Sequence, residues 1–399
     1  MMRLWVVAAL GAASWMDTGS PAHAAVSGCA QSEARLGAEV RAARAALMRI
    51  PVGDMDEAVP PAASAAIETV KNRIVAFVTG TMRCVAPNAS AADVRRLLAS
   101  RGDAFVDPSH YSADNYPNLH GDGLAYEVAR PAGHPGLLAV MARLQIECGD
   151  DGVFMLFEHA RGGSGWRLLI LRRSPPYQGI EGAYGDFQFA VSPPDGQGRW
   201  YLATSHVPPW CTSAWRSLDY DLSRPGPAPE LPHIFFSRNV RNYLGNDRGG
   251  AIRAEPNLFQ VRHDGSIANT DILIRPHLAT YAVLGDSVRR IQPAAPNARD
   301  FADEWVDTDW SEAGAWSGAD PTIREAHRQL HAQGQNSYAP LGPARRCRGG
   351  LLQVRFGEGG AIWYLFVGGR GPFRLMHASR TQMPSCDGPD LNGNVIYLP

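Results

Sequence analysis

Between Asp300 and Trp316 the chain carries its densest mixture of carboxylates and indoles. Two carboxyl groups held across a glycosidic bond do general acid and base work, and indole faces stack on pyranose rings. Asp303, Glu304, Trp305, Asp307, Asp309 and Trp310 are therefore the candidate binding residues. An acid and base for hydrolysis would come from Asp303, Glu304, Asp307 or Asp309. The same spacing has a plainer reading: on a helix, Phe301 and Trp305 stand four apart and bury together, leaving Asp303, Glu304 and Asp307 in water. Further on, His327 and His331 are also four apart, the spacing that sets two imidazoles on one helix face for zinc. They are the candidate metal ligands, although no glutamate lies between them in HExxH form and no third ligand is assigned. Arg324, Glu325 and Arg328 around them equally describe a solvated face. No cofactor is expected.

Other chemistry-bearing patterns fail on order or spacing. Asp107, His110, Asp114, His120 and Asp122 are metal-ligand types but match no EF-hand loop, and such residues also satisfy the backbone of an irregular connection. Gly285-Asp286-Ser287-Val288 has the letters of the nucleophile block of GDSL-type hydrolases, yet it follows Gly245-Asn246-Asp247 where that family has the reverse order. Gly-Asp between two apolar strands reads as a hairpin turn. Lys71 is the only lysine of the chain, which largely excludes Schiff-base, P-loop and SxxK chemistry.

A formal net charge of -1 and a pI near 6.9 give no global field for nucleic acid or an anionic membrane. Residues 1–24 read as a signal peptide: Arg3, the apolar stretch Leu4 to Trp15, and the small-x-small site Ala22-His23-Ala24. The remaining chain holds no apolar run of the roughly 20 residues a spanning helix needs, so it is expected to be exported, periplasmic or secreted. Val26-Ser27-Gly28-Cys29 offers a lipid anchor on Cys29 as the alternative. In an oxidising compartment six cysteines are expected to form three disulfides; about fifteen connectivities are open to them, of which pairing of neighbours is favoured, Cys29 with Cys84, Cys148 with Cys211, and Cys347 with Cys386.

These features need elements to position them. Leu36, Val40, Ala43, Leu47 and Ile50 make one apolar helical stripe, Ile67, Val70, Ile74 and Phe77 a second, and a third helix starts at Ser90 and stops at Gly102. Residues 25–104 read as a small helical domain and 105–136 as a connecting loop. From Leu137 the period becomes 2, with a half-buried first strand, a turn at Asp151-Gly152 and further short strands as an antiparallel β domain over 137–296. Strands open at Trp166 and Trp200 and again near Trp363, a faint echo without a fixed period. Helices at Ala298 to Val306 and Pro321 to Ala332 precede a three-strand unit within 297–399. The fold class is α+β. The reading that follows is an exported, disulfide-stabilised binding or interaction module for an extracytoplasmic ligand, glycan or protein. Its alternative is an extracytoplasmic hydrolase acting on a glycan.

Overall fold

The computed structural model describes residues 21–51, 59–102, 120–147, 149–159, 165–209, 213–243, 251–267, 270–295, 297–334, 341–357, 362–369 and 372–388. Three helices lead, α1 (Pro21–Leu47), α2 (Pro61–Met82) and α3 (Ala91–Gly102). Each follows from its sequence. The stripes meet in one core containing Val40, Leu47, Ile67, Val70, Ile74 and Phe77. Pro61 opens α2 at a position whose N–H needs no helical partner. Ser90 caps α3 by accepting from the Asp93 amide at 3.1 Å. The Cys29–Cys84 disulfide ties α1 to the turn after α2. In that bond the Cys29 sulfur is engaged with Cys84. Cys347–Cys386 is also formed, whereas Cys148 and Cys211 lie outside the described residues.

Four antiparallel meanders of four strands each follow in sequence order. The first comprises β1 (Ala125–Ala129), β2 (Leu137–Ile146), β3 (Gly149–His159) and β4 (Trp166–Arg173). The second comprises β5 (Gln188–Val191), β6 (Leu202–His206), β7 (Trp215–Arg224) and β8 (His233–Tyr243). The third comprises β9 (Ala251–Glu255), β10 (Leu258–Ile267), β11 (Thr270–Leu284) and β12 (Ser287–Gln292). After α4 (Ala298–Asp307), α5 (Trp310–Ala313) and α6 (Pro321–Gly334), the fourth runs β13 (Leu341–Arg346), β14 (Leu352–Phe356), β15 (Trp363–Gly368) and β16 (Arg374–Ser379). The class is α+β, as the order of helical and alternating segments predicts. Among the described residues no helix is long and apolar enough to cross a membrane.

Several strand-level expectations change, each for a packing reason. β2 is buried on both faces rather than half-buried: Leu138, Val140, Ala142, Leu144 and Ile146 meet the helices, and Leu137, Ala139 and Met141 meet β5 and β6 of the second sheet. The helices and the first sheet thus share one core. The hairpin reverses at Glu147, in the left-handed region at φ 48, and not at Asp151-Gly152, which lie inside β3 opposite Leu144 and Arg143. The expected connection 105–136 contains β1, while Asp107, His110 and Asp114 lie outside the described residues. β7, β9 and β13 are additional, so the terminal unit has four strands. β11 is continuous through Pro276 because its second edge is paired only from Thr280 onward, opposite the end of β12 at Gln292; a proline is tolerated on an unpaired strand edge. Gly285 at φ 64 makes the β11–β12 turn, which accounts for the Gly-Asp-Ser letters. Trp166 opens β4, Trp200 precedes β6 and Trp363 opens β15, three non-equivalent places with no repeat behind them.

The second and third sheets pack through Tyr201, Leu218, Tyr220, Phe259, Val261 and Tyr281. α4 and α6 cover the fourth sheet through Phe301, Trp305, Ile323 and Leu330 against Val354, Phe356 and Leu365. α4 therefore lies between the third and fourth sheets, and the candidate carboxylates are carried there.

Candidate ligand-binding cleft

α4 starts at Asn297, whose side chain accepts from the Asp300 amide at 2.9 Å and donates to the Asp300 carboxylate at 2.9 Å. Its apolar residues behave as expected: Phe301 and Trp305 are fully buried, and the Trp305 Nε1 donates to Ser317 Oγ at 2.9 Å. Trp305 is a core residue and offers no ring to a ligand. Asp303 and Glu304 depart from the sequence reading, being 1% and 3% exposed instead of lying in water. Arg275 of β11, itself 1% exposed, lies against them: its Nε donates to Asp303 at 2.9 Å and its Nη1 lies 3.8 Å from Glu304 Oε2. Arg290 of β12 also donates to Glu304, which accepts in addition from the Ala294 amide at 2.9 Å. The third sheet covers the face that a helical wheel assigns to solvent.

Beside this ion network a polar cleft of about 270 Å³ opens between α4 and strands β7, β8, β10, β11 and β12. Glu304 and Asp307 line it from the helix, and Glu312 joins them from α5. Asp307 keeps its side chain open to solvent, and the protein around it still raises its carboxyl above the usual range, opposed by Arg275. Arg238 and Arg290 face each other across Glu312, at 2.5 and 3.8 Å. On the sheet side, the Tyr220 and Tyr281 hydroxyls are hydrogen-bonded to each other at 2.8 Å.

His263 and His277 are direct cross-strand partners on β10 and β11, with ring centroids 4.8 Å apart and planes 20° from parallel. Burial, then the Arg275 charge, lowers His263 to about 4 and His277 well below the imidazole value. Both rings are neutral at pH 7, so each offers one N–H and one lone pair. His263 Nδ1, His277 Nε2, Arg290 Nε and Glu304 Oε2, all on residues that line the cleft, are buried without a hydrogen-bond partner. Buried polar atoms in folded proteins are overwhelmingly paired with protein or water, so these four are open to a water or a ligand in the cleft.

The histidines also set a stability slope. As pH falls through about 6.5 the unfolded chain protonates both rings, whereas folded His263 resists until about 4. The unfolded state then binds more protons, and stability falls on acidification. We expect a loss on the order of 1 kcal/mol per pH unit per histidine in this window, measured by thermal unfolding between pH 7 and 4.5. The His263→Gln/His277→Gln protein should show a shallower fall; equal slopes would rule the explanation out.

The remaining candidates face elsewhere. His327 Nε2 donates to Thr308 O at 2.8 Å and His331 Nδ1 to Val306 O at 2.7 Å. Those carbonyls belong to the end of α4, where helical partners run out, so the four-residue spacing brings both imidazoles to a helix C-terminus. Among the described residues no group of three or more His, Cys, Asp or Glu is placed to hold a metal ion. Asp309 and Trp310 line a second cavity with these histidines. His120 is buried, its Nε2 3.6 Å from Glu147 Oε1, and Asp122 accepts from the Gly123 amide.

Lys71 is fully buried and pairs with Glu68 and, at 3.3 Å, with Asp151. It donates to Ser174 Oγ at 2.8 Å, and Ser174 donates to Asp151 at 3.0 Å. A serine beside a lysine has the look of a nucleophile and its base, but Ser174 is also fully buried and two carboxylates hold the ammonium. The network is a tie between α2 and the first sheet.

Of the residues that line the cleft, Glu304 and Asp307 are named by the sequence reading, whereas Arg290, Arg238, His263, His277 and the tyrosine pair are not. A signal existed: Phe259, Val261 and His263 share one strand face, as do Arg275, His277, Ala279 and Tyr281, so polar residues stand on a core-facing row. Comparison of the chain with protein-family models, with curated proteins and with solved structures found no match in any of the three.

Proposed function

We propose that this chain is an exported binding module that takes a small, polar, uncharged ligand, one unit of a glycan, in the cleft between α4 and the second and third sheets. The observation that carries this reading is the set of buried polar atoms without a hydrogen-bond partner on His263, His277, Arg290 and Glu304. Neutral imidazoles, guanidinium and carboxylate together provide donors and acceptors, as a row of sugar hydroxyls requires. The cleft volume is near the lower end of the roughly 300–1,000 Å³ usual for ligand pockets. Hydrolysis is less well supported, because Asp303 and Glu304 are held in ion pairs with Arg275 and Arg290. Export is supported by two disulfides, which persist in oxidising compartments.

Isothermal titration with a panel of neutral mono- and disaccharides tests the reading. A member of the panel should bind, and His277→Ala, with its fold checked by circular dichroism, should bind it about tenfold more weakly, the loss of about one buried hydrogen bond. No binding across the panel, or unchanged affinity in the variant, would defeat it.

A further inference from the structure

Consecutive residues line two cavities. Thr308 lines the cleft, while Asp309 and Trp310 line a cavity of about 550 Å³ to which α6 contributes Arg324, His327 and His331. The end of α4 and the start of α5 thus contribute neighbouring residues to both spaces.

We infer that the two cavities are consecutive subsites for one neutral oligosaccharide, with the Trp310 indole as the stacking surface for the unit next to the one in the cleft. This rests on the cleft being a sugar site. Three observations support the extension. The surfaces are chemically complementary: the cleft presents hydrogen-bonding groups, suited to hydroxyls, while the second cavity presents an indole and imidazoles, suited to the C–H face of a pyranose. The indole is also fixed before any ligand arrives. It is half-buried, lies edge-to-face with His327 at 5.2 Å, packs on Gly314, where an added Cβ would come within 3.3 Å of the ring, and carries the Arg324 guanidinium over its ring at 5.8 Å, a side chain that a stacked sugar would have to displace. A preorganised ring costs little ordering on binding.

The charge balance sets the class of sugar. In the cleft Arg238, Arg241 and Arg290 are matched by Glu304, Asp307 and Glu312. In the second cavity Arg324 and Arg328 are matched by Asp309 and Glu325. Counting arginines and carboxylates, neither wall has an excess, which favours a neutral chain over a uronic acid or an amino sugar.

The test is titration of the full chain with malto-, cello-, xylo- and chito-oligosaccharides of one to six units. The native protein should bind one series with an affinity that rises about three- to tenfold once the sugar is long enough to reach Trp310, the range expected for one aromatic stacking contact. For Trp310→Ala the longer sugars should bind no better than the disaccharide, and Trp310→Phe should restore most of the rise, with thermal unfolding confirming that both variants fold. Binding that is independent of length, or a Trp310→Ala effect equal at every length, overturns the two-subsite inference and leaves the cleft reading standing. Absence of binding in all four series overturns both.

Discussion

Replacing Lys71 with alanine is expected to lower the unfolding free energy by about 3–5 kcal/mol, the effect of removing one partner from a buried ion pair. Lys71 and Asp151 are both fully buried, and among the described residues Asp151 and Glu68 form no other ion pair. Asp151 would keep its hydrogen bonds from Ser174 and from the Gly152 and Tyr184 amides, which moderates the loss without replacing the charge. Thermal unfolding would show a fall on the order of 10 °C. Exchanging the whole set, as Lys71→Met with Glu68→Gln and Asp151→Asn, should recover part of the stability, since apolar or neutral replacements of complete buried pairs are often tolerated. A single-variant loss below about 1 kcal/mol would show that this network does not hold the helices to the first sheet.

Arg275→Met should have an effect of similar size with a different pH signature. Asp303 and Glu304 lose the guanidinium that lies against both, at an expected cost of about 3–5 kcal/mol near pH 7. The pH signature comes from His263 and His277. Burial is the larger cause of their depressed values, but the Arg275 charge contributes, and its removal raises both rings toward the unfolded value. The native protein therefore loses stability on acidification more steeply than the variant. Arg275→Lys should recover only part, because an ammonium lacks the fork that reaches Asp303 through Nε and Glu304 through Nη1. Parallel pH profiles for native protein and Arg275→Met would refute this account.

The helices, the change of period at Leu137 and two of the disulfides were legible because each depends on residues close in sequence. An apolar stripe such as Ile67, Val70, Ile74 and Phe77 identifies its own buried face. β2 shows the limit: alternation announces one buried face, and the second sheet that covers Met141 comes from residues far along the chain. α4 shows it again. The helical period correctly buries Phe301 and Trp305, but only the insertion of Arg275 from β11 explains why Asp303 and Glu304 are interior. His327 and His331 were ambiguous in principle, since capping a helix end and ligating a metal both need two imidazoles on one face. The neighbouring carbonyls of Val306 and Thr308 accept from both rings, and no spacing within α6 reveals those carbonyls. His263 and His277 were visible as polar residues on apolar rows, and became a site only when β10 and β11 aligned them.

The order of pairing has a consequence for how the chain folds. Within every sheet each strand bonds only to its neighbours in sequence, and both described disulfides join cysteines with no other cysteine between them. Contacts of short range form quickly because little loop entropy is lost in closing them. A chain emerging from its N-terminus into an oxidising compartment can complete the Cys29–Cys84 bond and the first sheet before Cys347 has appeared. For these two bridges, oxidation in order of emergence yields the native partners, and the slow reshuffling that crossed connectivities demand is avoided.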